Sequence, residues 1–375
     1  MKPLHILHTE ASLGWGGQEI RILTEAEGMI ARGHHVTLIA PPDANIRREG
    51  EARGIPTLAL PIGKKRLGGL FELRKWLKTH PCDVINTHSS TDTWLAALAC
   101  ATLSDPPPLV RTRHISAPVP DNFSSRWLYN AATRFIATTG EKLREQMMRE
   151  VHVAAGRVES VPTGIDLTRF HPDDRAVKRA ELGLPADAFI VGIVATLRSW
   201  KGHRYLLEAL QPLTDIHLVV AGDGPQRAAL EAQVESLGMK SRVRFVGNQK
   251  NVPPWLQSFD IFVLPSYANE GVPQALMQAM ACGLPVVSTP VGSIDEIVTD
   301  GETGLMVAPQ DVITLRAAIE KLKSDAPLRS ALGAAALARA RERFSADLMV
   351  ARMERIFALA AAGATRLDGA GASGD

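Results

Sequence analysis

The stretch 267–285 combines residue types that suit a sugar or phosphate ligand. Glu270-Gly271-Val272-Pro273 follows an apolar run that predicts a buried strand, and it leads into a helical pattern with Pro273 expected in the first turn. Gln274 and Gln278 then lie one turn apart on the same helix face. A helix that starts at the carboxyl end of a parallel strand presents free N–H groups, so the segment predicts a site for phosphate and hydroxyl groups. The less favoured alternative is a surface helix with incidental glutamines.

Two cations three residues apart form a second candidate. Arg198-Ser199-Trp200-Lys201-Gly202 follows a strand predicted at 189–195. Cations in a strand-to-helix loop can clamp a diphosphate and neutralise the negative charge that grows on it when it leaves. A solvent-exposed pair without a ligand is the alternative.

A glycine-rich loop, Gly14-Trp15-Gly16-Gly17, joins the first predicted strand to the first helix. Glycines let the backbone approach a ligand closely, and a helix N-terminus follows them. The order G-x-G-G differs from the dinucleotide fingerprint G-x-G-x-x-G, and the second strand ends at Ala40 without an acidic ribose ligand. These differences disfavour a nicotinamide oxidoreductase, whereas a tight turn without a ligand stays open.

Two histidines end predicted strands. His114 follows the strand at 109–112, and His88 follows the strand at 84–87. Such positions open onto the ligand edge of a parallel sheet, although a lone histidine is more often structural. For His88 and the polar residues behind it, helix capping by Ser90 or Thr91 fits as well as a contact with an acceptor substrate.

Several chemistries have no motif in this chain. It contains no D-x-D pair, no P-loop, no G-x-S-x-G elbow and no zinc-ligand spacing. We therefore expect a metal-independent reaction in which Arg198, Lys201 and helix dipoles replace a cation. The basic run Lys64-Lys65-Arg66 precedes an amphipathic helix, for which packing on the first sheet is favoured over a membrane-surface role.

The elements that position these residues alternate between short apolar runs and longer helical patterns, which predicts parallel sheets covered by helices. The predicted strands are 4–8, 36–40, 57–60, 84–87, 109–112, 135–138, 158–161, 189–195, 217–221, 243–246, 261–264 and 285–288. Their nearly continuous Val and Ile content is typical of strands buried on both faces. The pattern predicts two doubly wound α/β domains with a junction near 162–185.

Length and composition exclude other classes. The chain has 375 residues, enough for two domains, and its net charge of +2 is too small to indicate a nucleic-acid partner. Its three cysteines are far apart and indicate a reducing compartment. Without a signal-peptide core or a run of 18 apolar residues, the chain is expected to be cytoplasmic, with peripheral contact at the inner membrane face left open.

The motifs resemble those of glycosyltransferase family 4, whose members are retaining enzymes with the GT-B fold, two Rossmann-like domains facing each other across a cleft. The resemblance rests on Glu270-Gly271-Val272-Pro273, Ala281-Cys282-Gly283-Leu284-Pro285, Gly222-Asp223-Gly224-Pro225, Asp300-Gly301-Glu302-Thr303-Gly304 and Gly16-Gly17-Gln18-Glu19. It implies domains at 1–163 and 164–345, with a helix at about 346–362 returning to the first domain. The tail 363–375 has too little apolar content to order itself.

The resemblance also implies roles for individual residues. Arg198 and Lys201 would bind the donor diphosphate, and Glu270 with the amides of 271–274 would hold sugar hydroxyls. Gly16 and Gly17 would approach the donor phosphate and the transferred sugar, and His114 would contact the sugar near its reacting carbon. The donor is a nucleotide-diphosphate sugar, with UDP the commonest nucleotide among similar enzymes, and no cofactor or metal is expected.

One position departs from the family pattern. A second glutamate is expected eight residues after the first, where it binds the ribose hydroxyls, and this chain has Gln278 there. A glutamine carbonyl accepts weaker hydrogen bonds than a carboxylate, so we expect weaker nucleotide binding. The predicted function is sugar transfer to a glycan or lipid-linked acceptor of lipopolysaccharide or another envelope polysaccharide. An epimerase or phosphorylase of the same fold, and an inactive subunit that binds nucleotide sugar, remain alternatives.

Overall fold

The computed structural model of the protein describes residues 2–115, 117–268 and 270–368. The chain divides into two compact units. Unit 1 comprises the residues up to Gly164 together with those from Ala346 onward, and unit 2 comprises Ile165–Ser345. Unit 1 is thus completed by a C-terminal segment of the chain.

Unit 1 contains, in its described part, a parallel sheet of seven strands in the order β3-β2-β1-β4-β5-β6-β7. The strands are β1 (His5–Thr9), β2 (His35–Ala40), β3 (Thr57–Ala59), β4 (Val84–Thr87), β5 (Leu109–Arg113), β6 (Thr133–Thr138) and β7 (Val158–Ser160). The helices are α1 (Gly17–Ala31), α2 (Asn45–Ala52), α3 (Leu67–Thr79), α4 (Ser90–Cys100), α5 (Phe123–Arg126) with a π-helical turn at Trp127–Ala132, and α6 (Glu141–Glu150) followed by a 3₁₀ turn at Ala155–Arg157.

Apolar side chains cover both faces of this sheet, as its nearly continuous apolar strands require. On one face Ile6 belongs to a buried cluster with Met29 of α1, whereas its neighbour Leu7 belongs to a cluster on the other face with Leu73 of α3 and Leu95 of α4. Adjacent residues of β1 therefore point to opposite helix layers.

Unit 2 has a parallel sheet whose six strands, counted over the described residues, follow the order β10-β9-β8-β11-β12-β13. The strands are β8 (Phe189–Val194), β9 (Ile216–Ala221), β10 (Val243–Gly247), β11 (Ile261–Leu264), β12 (Val286–Ser288) and β13 (Gly304–Met306). The helices are α7 (Arg175–Leu182), α8 (His203–Leu210) after a 3₁₀ turn at Ser199–Lys201, α9 (Arg227–Ser236), α10 (Pro253–Ser258), α11 (Gln274–Ala281), α12 (Ile294–Ile297), α13 (Val312–Ser324) and α14 (Ala326–Arg343).

The predicted fold class, two doubly wound parallel sheets, is confirmed. Each predicted strand is present within two residues of its predicted ends, but β13 was missed because three residues are too few to show a pattern. Pro273 was also misplaced: it is the residue that caps α11, with extended backbone, and the first helical turn begins at Gln274. Gly33 follows α1 with a left-handed φ of 86°, the conformation in which a glycine commonly ends a helix.

The C-terminal helix α15 (Ala346–Ala361) packs on unit 1, as expected, through Met353 and Phe357 in the buried cluster that contains Ile6. Glu354 of this helix accepts hydrogen bonds from Arg32 at 2.8 Å and pairs with His34 at 3.0 Å.

The predicted tail begins too early. Leu367 is buried in the same apolar cluster, and its backbone N–H donates to the carbonyl of Gly156 at 2.7 Å. The chain therefore packs as far as Asp368, and the rest of the predicted tail, 369–375, lies outside the described residues. Across the described part of the chain, we find no helix with both the length and the apolar character needed to span a bilayer.

Gly28 lets α1 and α15 approach closely, because a Cβ atom there would lie 2.4 Å from a methyl group of Val350. We predict that Gly28→Ala lowers the free energy of unfolding by about 1 kcal/mol, since overpacking of about 1–3 kcal/mol exceeds the gain in helix propensity of about 1 kcal/mol. Adding Val350→Ala should remove the clash, so that urea denaturation of the double variant shows less loss than the two single variants summed.

Gly68 of α3 serves as the control for this experiment. A Cβ atom there would meet no atom within 4 Å, so Gly68→Ala should leave the protein as stable as before or slightly more stable. Strict additivity of Gly28→Ala and Val350→Ala would contradict the close packing of α15 on α1.

Candidate active site

The strand order of unit 2 reverses between β8 and β11, which are neighbours in the sheet. The chain leaves the carboxyl ends of these two strands toward opposite faces, and a crevice opens at such a point of an α/β sheet. The loop after β8 carries Arg198 and Lys201, and the loop after β11 carries Glu270. Residues that are far apart in sequence therefore meet at one edge of the sheet.

Lys201 and Glu270 form a two-pronged ion pair at this edge. The ammonium nitrogen of Lys201 lies 2.7 Å from Oε1 and 2.9 Å from Oε2 of Glu270. Ser266 donates a further hydrogen bond from its hydroxyl to Oε1. Glu270 is only 5% exposed, whereas the side chain of Lys201 is 19% exposed. The buried carboxylate thus holds a cation whose other side remains accessible.

Two glycines permit the close approach of the loops around this pair. Gly202 has a φ of 78°, and a Cβ atom there would lie 2.0 Å from the carbonyl oxygen of Pro265. Gly292 has a φ of 63°, and its Cβ would lie 2.0 Å from the carbonyl oxygen of Glu270. The backbone N–H of Tyr267 also donates to the carbonyl of Trp200 at 2.9 Å. Both positions therefore require glycine, on steric and conformational grounds.

Arg198 lies at the start of the turn that ends with Lys201. Its side chain is exposed, and its guanidinium carbon lies 5.6 Å from the ring centroid of Trp200, while no acceptor among the described residues bonds to it. The backbone N–H of Lys201 donates to the carbonyl of Arg198 at 3.1 Å. The turn therefore carries two cations. Lys201 is paired with Glu270, and Arg198 has no acceptor within the ranges that the structure describes.

Helix α11 begins directly after this site. Gln274 and Gln278 are partly exposed, and Met277, Met280 and Ala281 are fully buried, which confirms the predicted division between a polar and an apolar face. Gly271 and Val272 are partly exposed and precede Pro273, and the carbonyl of Gly271 accepts a hydrogen bond from the backbone N–H of Ser293 at 3.2 Å. Asn269, part of the predicted turn, lies outside the described residues.

The strand order of unit 1 reverses between β1 and β4. Beyond the carboxyl end of β1, the buried Glu10 fixes the glycine-rich loop at both ends. Its Oε1 accepts the backbone N–H of Ser12 at 2.7 Å, and its Oε2 accepts a hydrogen bond from the side-chain amide of Gln18. Burial, together with the nearby charge of Asp92, raises the pKa of Glu10 to about 8.

Gly16 and Gly17 stand where this loop enters α1. Gly16 has an extended φ of −173°, and the nearest atom to a Cβ there would be a Glu19 oxygen at 3.7 Å. The local fold therefore does not require glycine at position 16. The absence of a side chain at Gly16 lets a ligand approach its backbone closely.

Three histidines form a continuous chain beneath this edge. His8 Nδ1 lies 2.9 Å from His88 Nε2, and His88 Nδ1 lies 3.1 Å from His114 Nε2. They come from the ends of the neighbouring strands β1, β4 and β5. His8 and His88 are buried, and His114 is partly exposed.

Burial keeps all three rings neutral. It lowers the pKa of His8 to about 3 and lowers those of His88 and His114 well below the ordinary value, with further lowering of His114 from the charges of Arg21 and Arg111. A neutral imidazole carries one N–H and one lone pair, so each ring can donate once and accept once.

The inner end of the histidine chain meets a buried charged group. His8 Nε2 lies 4.0 Å from Oε1 of Glu25, which also accepts a hydrogen bond from the amide of Asn86 at 3.0 Å. Arg21 Nε lies 3.9 Å from the other oxygen of Glu25. Burial raises the pKa of Glu25 to about 7, although Arg21 and Asn86 oppose the increase.

The predicted site residues thus fall into two groups. Unit 2 brings Lys201 and Glu270 into contact and places Arg198 on the same turn, and unit 1 contains Gly16, Gly17 and His114. The sequence interpretation missed His8, Glu10 and Glu25, and it included Asp92 only among the polar residues after His88 that could face an acceptor. His8 and Glu10 could have been identified from the sequence, because they belong to a polar run at the end of an apolar strand. The same position at the end of a strand singled out His114.

The predicted cap of α4 was also wrong by one residue. Ser89, rather than Ser90 or Thr91, precedes the helix, and its backbone N–H donates to Oδ1 of Asp92 at 2.8 Å. The other oxygen of Asp92 accepts the backbone N–H of His88 and the hydroxyl of Thr9, each at 2.9 Å. This carboxylate therefore ties the start of α4 to both β1 and the histidine chain.

Comparison with known proteins assigns each part of the chain to a family. The family described as Glycosyltransferase Family 4 matches residues 15–169, and the family described as Glycosyl transferases group 1 matches residues 174–339. The chain is 32% identical over 242 residues to the lipopolysaccharide core biosynthesis mannosyltransferase LpsB of Rhizobium meliloti (strain 1021), a match that covers 59% of this chain and 69% of LpsB.

A second relative is the D-inositol 3-phosphate glycosyltransferase of Mycobacterium avium (strain 104), which is 31% identical over 284 residues, or 69% of this chain. The chain spans 65% of the length of that relative and 63% of its counterpart from Mycolicibacterium paratuberculosis.

Solved structures share the fold. A glycosyltransferase from Rickettsia africae has a TM-score of 0.86 at 18% identity, covering 96% of this chain and 99% of its own. Anabaena HepE in complex with UDP has a TM-score of 0.84 at 22% identity, covering 95% and 100%. Since the family matches together extend along most of the sequence, and more than two thirds of LpsB is matched at above 30% identity, the chain belongs to glycosyltransferase family 4.

Proposed function

We propose that the protein is a retaining, metal-independent glycosyltransferase that moves a sugar from a UDP-sugar to a glycan or lipid-linked acceptor. The observation that carries this proposal is the Lys201–Glu270 pair beside the exposed Arg198, at the point where the strand order of unit 2 reverses. Two cations on one turn suit the two phosphates of a diphosphate.

The chemistry of sugar transfer explains what the two cations do. When the bond between the anomeric carbon and the diphosphate oxygen breaks, negative charge accumulates on the leaving group. Fixed cations stabilise that charge more in the transition state than in the bound donor, and groups already held in place need no reorganisation. Glu270 holds Lys201 in position, while Arg198 is free to bind the second phosphate.

Glu270 itself is a poor candidate for a covalent nucleophile. Both of its oxygens are engaged by Lys201, and one also accepts from Ser266. We assign to it, with the amides of Gly271, Val272 and Gln274, the binding of sugar hydroxyls beside Pro273. Retention then follows if the departing phosphate oxygen takes the acceptor's proton on the same face of the sugar, where the new bond forms.

Unit 1 supplies uncharged groups in this proposal. We assign Gly16 and Gly17, at the N-terminus of α1, to the binding of the donor phosphate. His114, neutral and partly exposed, binds a hydroxyl of the transferred sugar.

The relatives support the proposed substrates. Solved complexes of Anabaena HepE contain UDP and UDP-glucose, and LpsB is named for lipopolysaccharide core biosynthesis. We therefore propose UDP-sugar as donor and an envelope glycan, such as a lipopolysaccharide core, as acceptor. An epimerase or phosphorylase, and an inactive subunit that binds nucleotide sugar, are the alternatives that the following experiment separates.

Incubation of the purified protein with UDP-sugars and lipopolysaccharide-core acceptors should yield a glycoside with the anomeric configuration of the donor, read by NMR, and EDTA should not change the rate. Lys201→Ala should lower turnover about 10²–10³-fold, because one stabilising contact with the developing anion is lost. Full activity of Lys201→Ala would contradict the role of the cation, and inversion or loss of activity in EDTA would contradict the mechanism.

Two controls separate catalysis from folding. Lys201→Ala leaves the buried Glu270 carboxylate without its cation, which destabilises the site. The double variant Lys201→Ala/Glu270→Gln removes both charges, so it should recover thermal stability without recovering turnover. Lys240→Ala, which alters a lysine with an 84% exposed side chain, should match the wild type in both measurements.

Gln278 provides a test of donor binding. It is partly exposed on α11, one turn beyond Gln274, where a carboxylate could accept two ribose hydroxyls through stronger hydrogen bonds. Gln278→Glu should therefore tighten UDP binding by about 1–2 kcal/mol, a roughly 5–30-fold lower Kd by isothermal titration calorimetry. An unchanged or weaker affinity would show that position 278 does not contact the nucleotide.

A lipid-linked acceptor would be reached at a membrane surface, and α3 offers a matching face. Leu67 is 69% exposed and Phe71 is 61% exposed, four residues apart on the helix, and the exposed run Lys64-Lys65-Arg66 precedes them. We predict flotation with anionic but not neutral vesicles, reduced by Phe71→Ser and unaffected by Ile313→Ser, a control at a 77% exposed position. Equal flotation of Phe71→Ser and wild type would exclude this face.

A further inference from the structure

The tautomers of His8, His88 and His114 depend on one another. His88 uses both ring nitrogens in the chain, one facing His8 and one facing His114. A neutral ring donates through one nitrogen and accepts through the other. If His88 donates to His114 it must accept from His8, and if it donates to His8 it must accept from His114.

The chain therefore has two hydrogen-bonded states. In the first, His8 Nδ1–H donates to His88 and His88 Nδ1–H donates to His114, which leaves the proton of His114 on Nδ1. In the second, His114 Nε2–H donates to His88 and His88 Nε2–H donates to His8, which leaves His114 Nδ1 as a bare lone pair and puts the remaining proton of His8 on Nε2. In the described part of the chain, no group bonds to His114 Nδ1.

The buried end of the chain distinguishes these states. His8 Nε2 has no hydrogen-bond partner among the described residues, and the nearest charged atom is Oε1 of Glu25 at 4.0 Å. An N–H directed at a carboxylate oxygen is attractive, whereas a lone pair at the same place is repulsive. An ionised Glu25 therefore favours the second state.

The hydrogen bonds of Asn86 indicate that Oε1 of Glu25 is a hydrogen-bond acceptor. In the structure the amide of Asn86 directs its Oδ1 toward Thr112, whose hydroxyl donates to it at 3.0 Å, and its nitrogen toward Glu25. The amide nitrogen then donates to Oε1 of Glu25, so this oxygen serves as an acceptor toward both Asn86 and His8.

We propose that Glu25 acts as a positioning residue which, through His8 and His88, fixes His114 in the Nε2–H tautomer and presents its Nδ1 as a hydrogen-bond acceptor. This inference rests on the proposed function in assigning a sugar to His114. It adds a specificity rule: the sugar group facing His114 must be a hydroxyl that donates, and a fluorine or keto oxygen there would meet a lone pair.

The tautomer can be read directly by long-range ¹H–¹⁵N correlation NMR on the full chain labelled with ¹⁵N-histidine, without donor and at pH 8.5, above the pKa of about 7 of Glu25. A His114→Gln variant assigns the signals. We expect Nδ1 of His114 in the range of an unprotonated nitrogen and Nε2 in that of a protonated one. The reverse assignment in the wild type overturns the proposal, and this measurement requires no folded variant of Glu25.

Variants of Glu25 test whether its carboxylate determines the tautomer of His114. Glu25→Leu removes the acceptor that faces His8 Nε2, so the preference for the second state should be lost and a proton should appear on Nδ1 of His114. Glu25→Asp keeps the carboxylate and should keep the wild-type tautomer. Glu27→Gln, on the same helix with a 45% exposed side chain, should also leave it unchanged. A wild-type tautomer in Glu25→Leu overturns the proposal.

Transfer kinetics add a readout that depends on the proposed function. Glu25→Leu should lower kcat/KM about tenfold, the loss of one hydrogen bond to the sugar, whereas Glu25→Asp should keep most of the wild-type value. If the wild type transfers no sugar, the proposed function fails while the NMR result stands by itself. If transfer occurs but the tautomer is the same in all variants, only the present inference fails.

Discussion

Each unit depends on one topological constraint, the reversal of strand order between two adjacent parallel strands. Crossovers between parallel strands are almost always right-handed, so those on either side of β1/β4 and of β8/β11 send the following helices to opposite faces of the sheet. The loops at that point separate and leave backbone N–H groups and side chains uncovered at the carboxyl edge. Glu10, the glycine-rich loop and the histidine chain lie at this edge in unit 1, and Lys201 and Glu270 lie at it in unit 2.

The Lys201–Glu270 pair is difficult to explain as a stabilising feature alone. Removing two charges from water costs about as much as their attraction returns, so a buried ion pair is weak evidence for stability. Yet two glycines with positive φ, Gly202 and Gly292, bring the flanking loops together around it. Such a tightly constrained arrangement of one partly accessible cation is expected where position matters more than stability, as in a site that meets developing negative charge.

Features that leave a local pattern in the sequence could be predicted, whereas contacts between residues far apart in the sequence could not. The sheets were predictable because each strand is a local apolar run, and the loops with Arg198 and His114 were predictable because each directly follows a strand. The pairing of Lys201 with Glu270 joins residues 69 positions apart, and that of His8 with His88 joins residues 80 apart. Such contacts depend on strand order and register, which no local pattern specifies, so His8 was taken only as part of a strand.

The candidate site residues of the two units differ in charge, and this difference fits the roles that we propose for them. Histidines at the edge of unit 1 are neutral, and burial raises the pKa of Glu10 to about 8, which reduces the negative charge of this carboxyl at neutral pH. An ionised carboxylate beside the glycine-rich loop would repel an anionic donor, and a protonated one does not. Under the proposed function, unit 1 binds phosphate through backbone N–H groups and sugar hydroxyls through His114, and Arg198 and Lys201 of unit 2 compensate the charge of the leaving group.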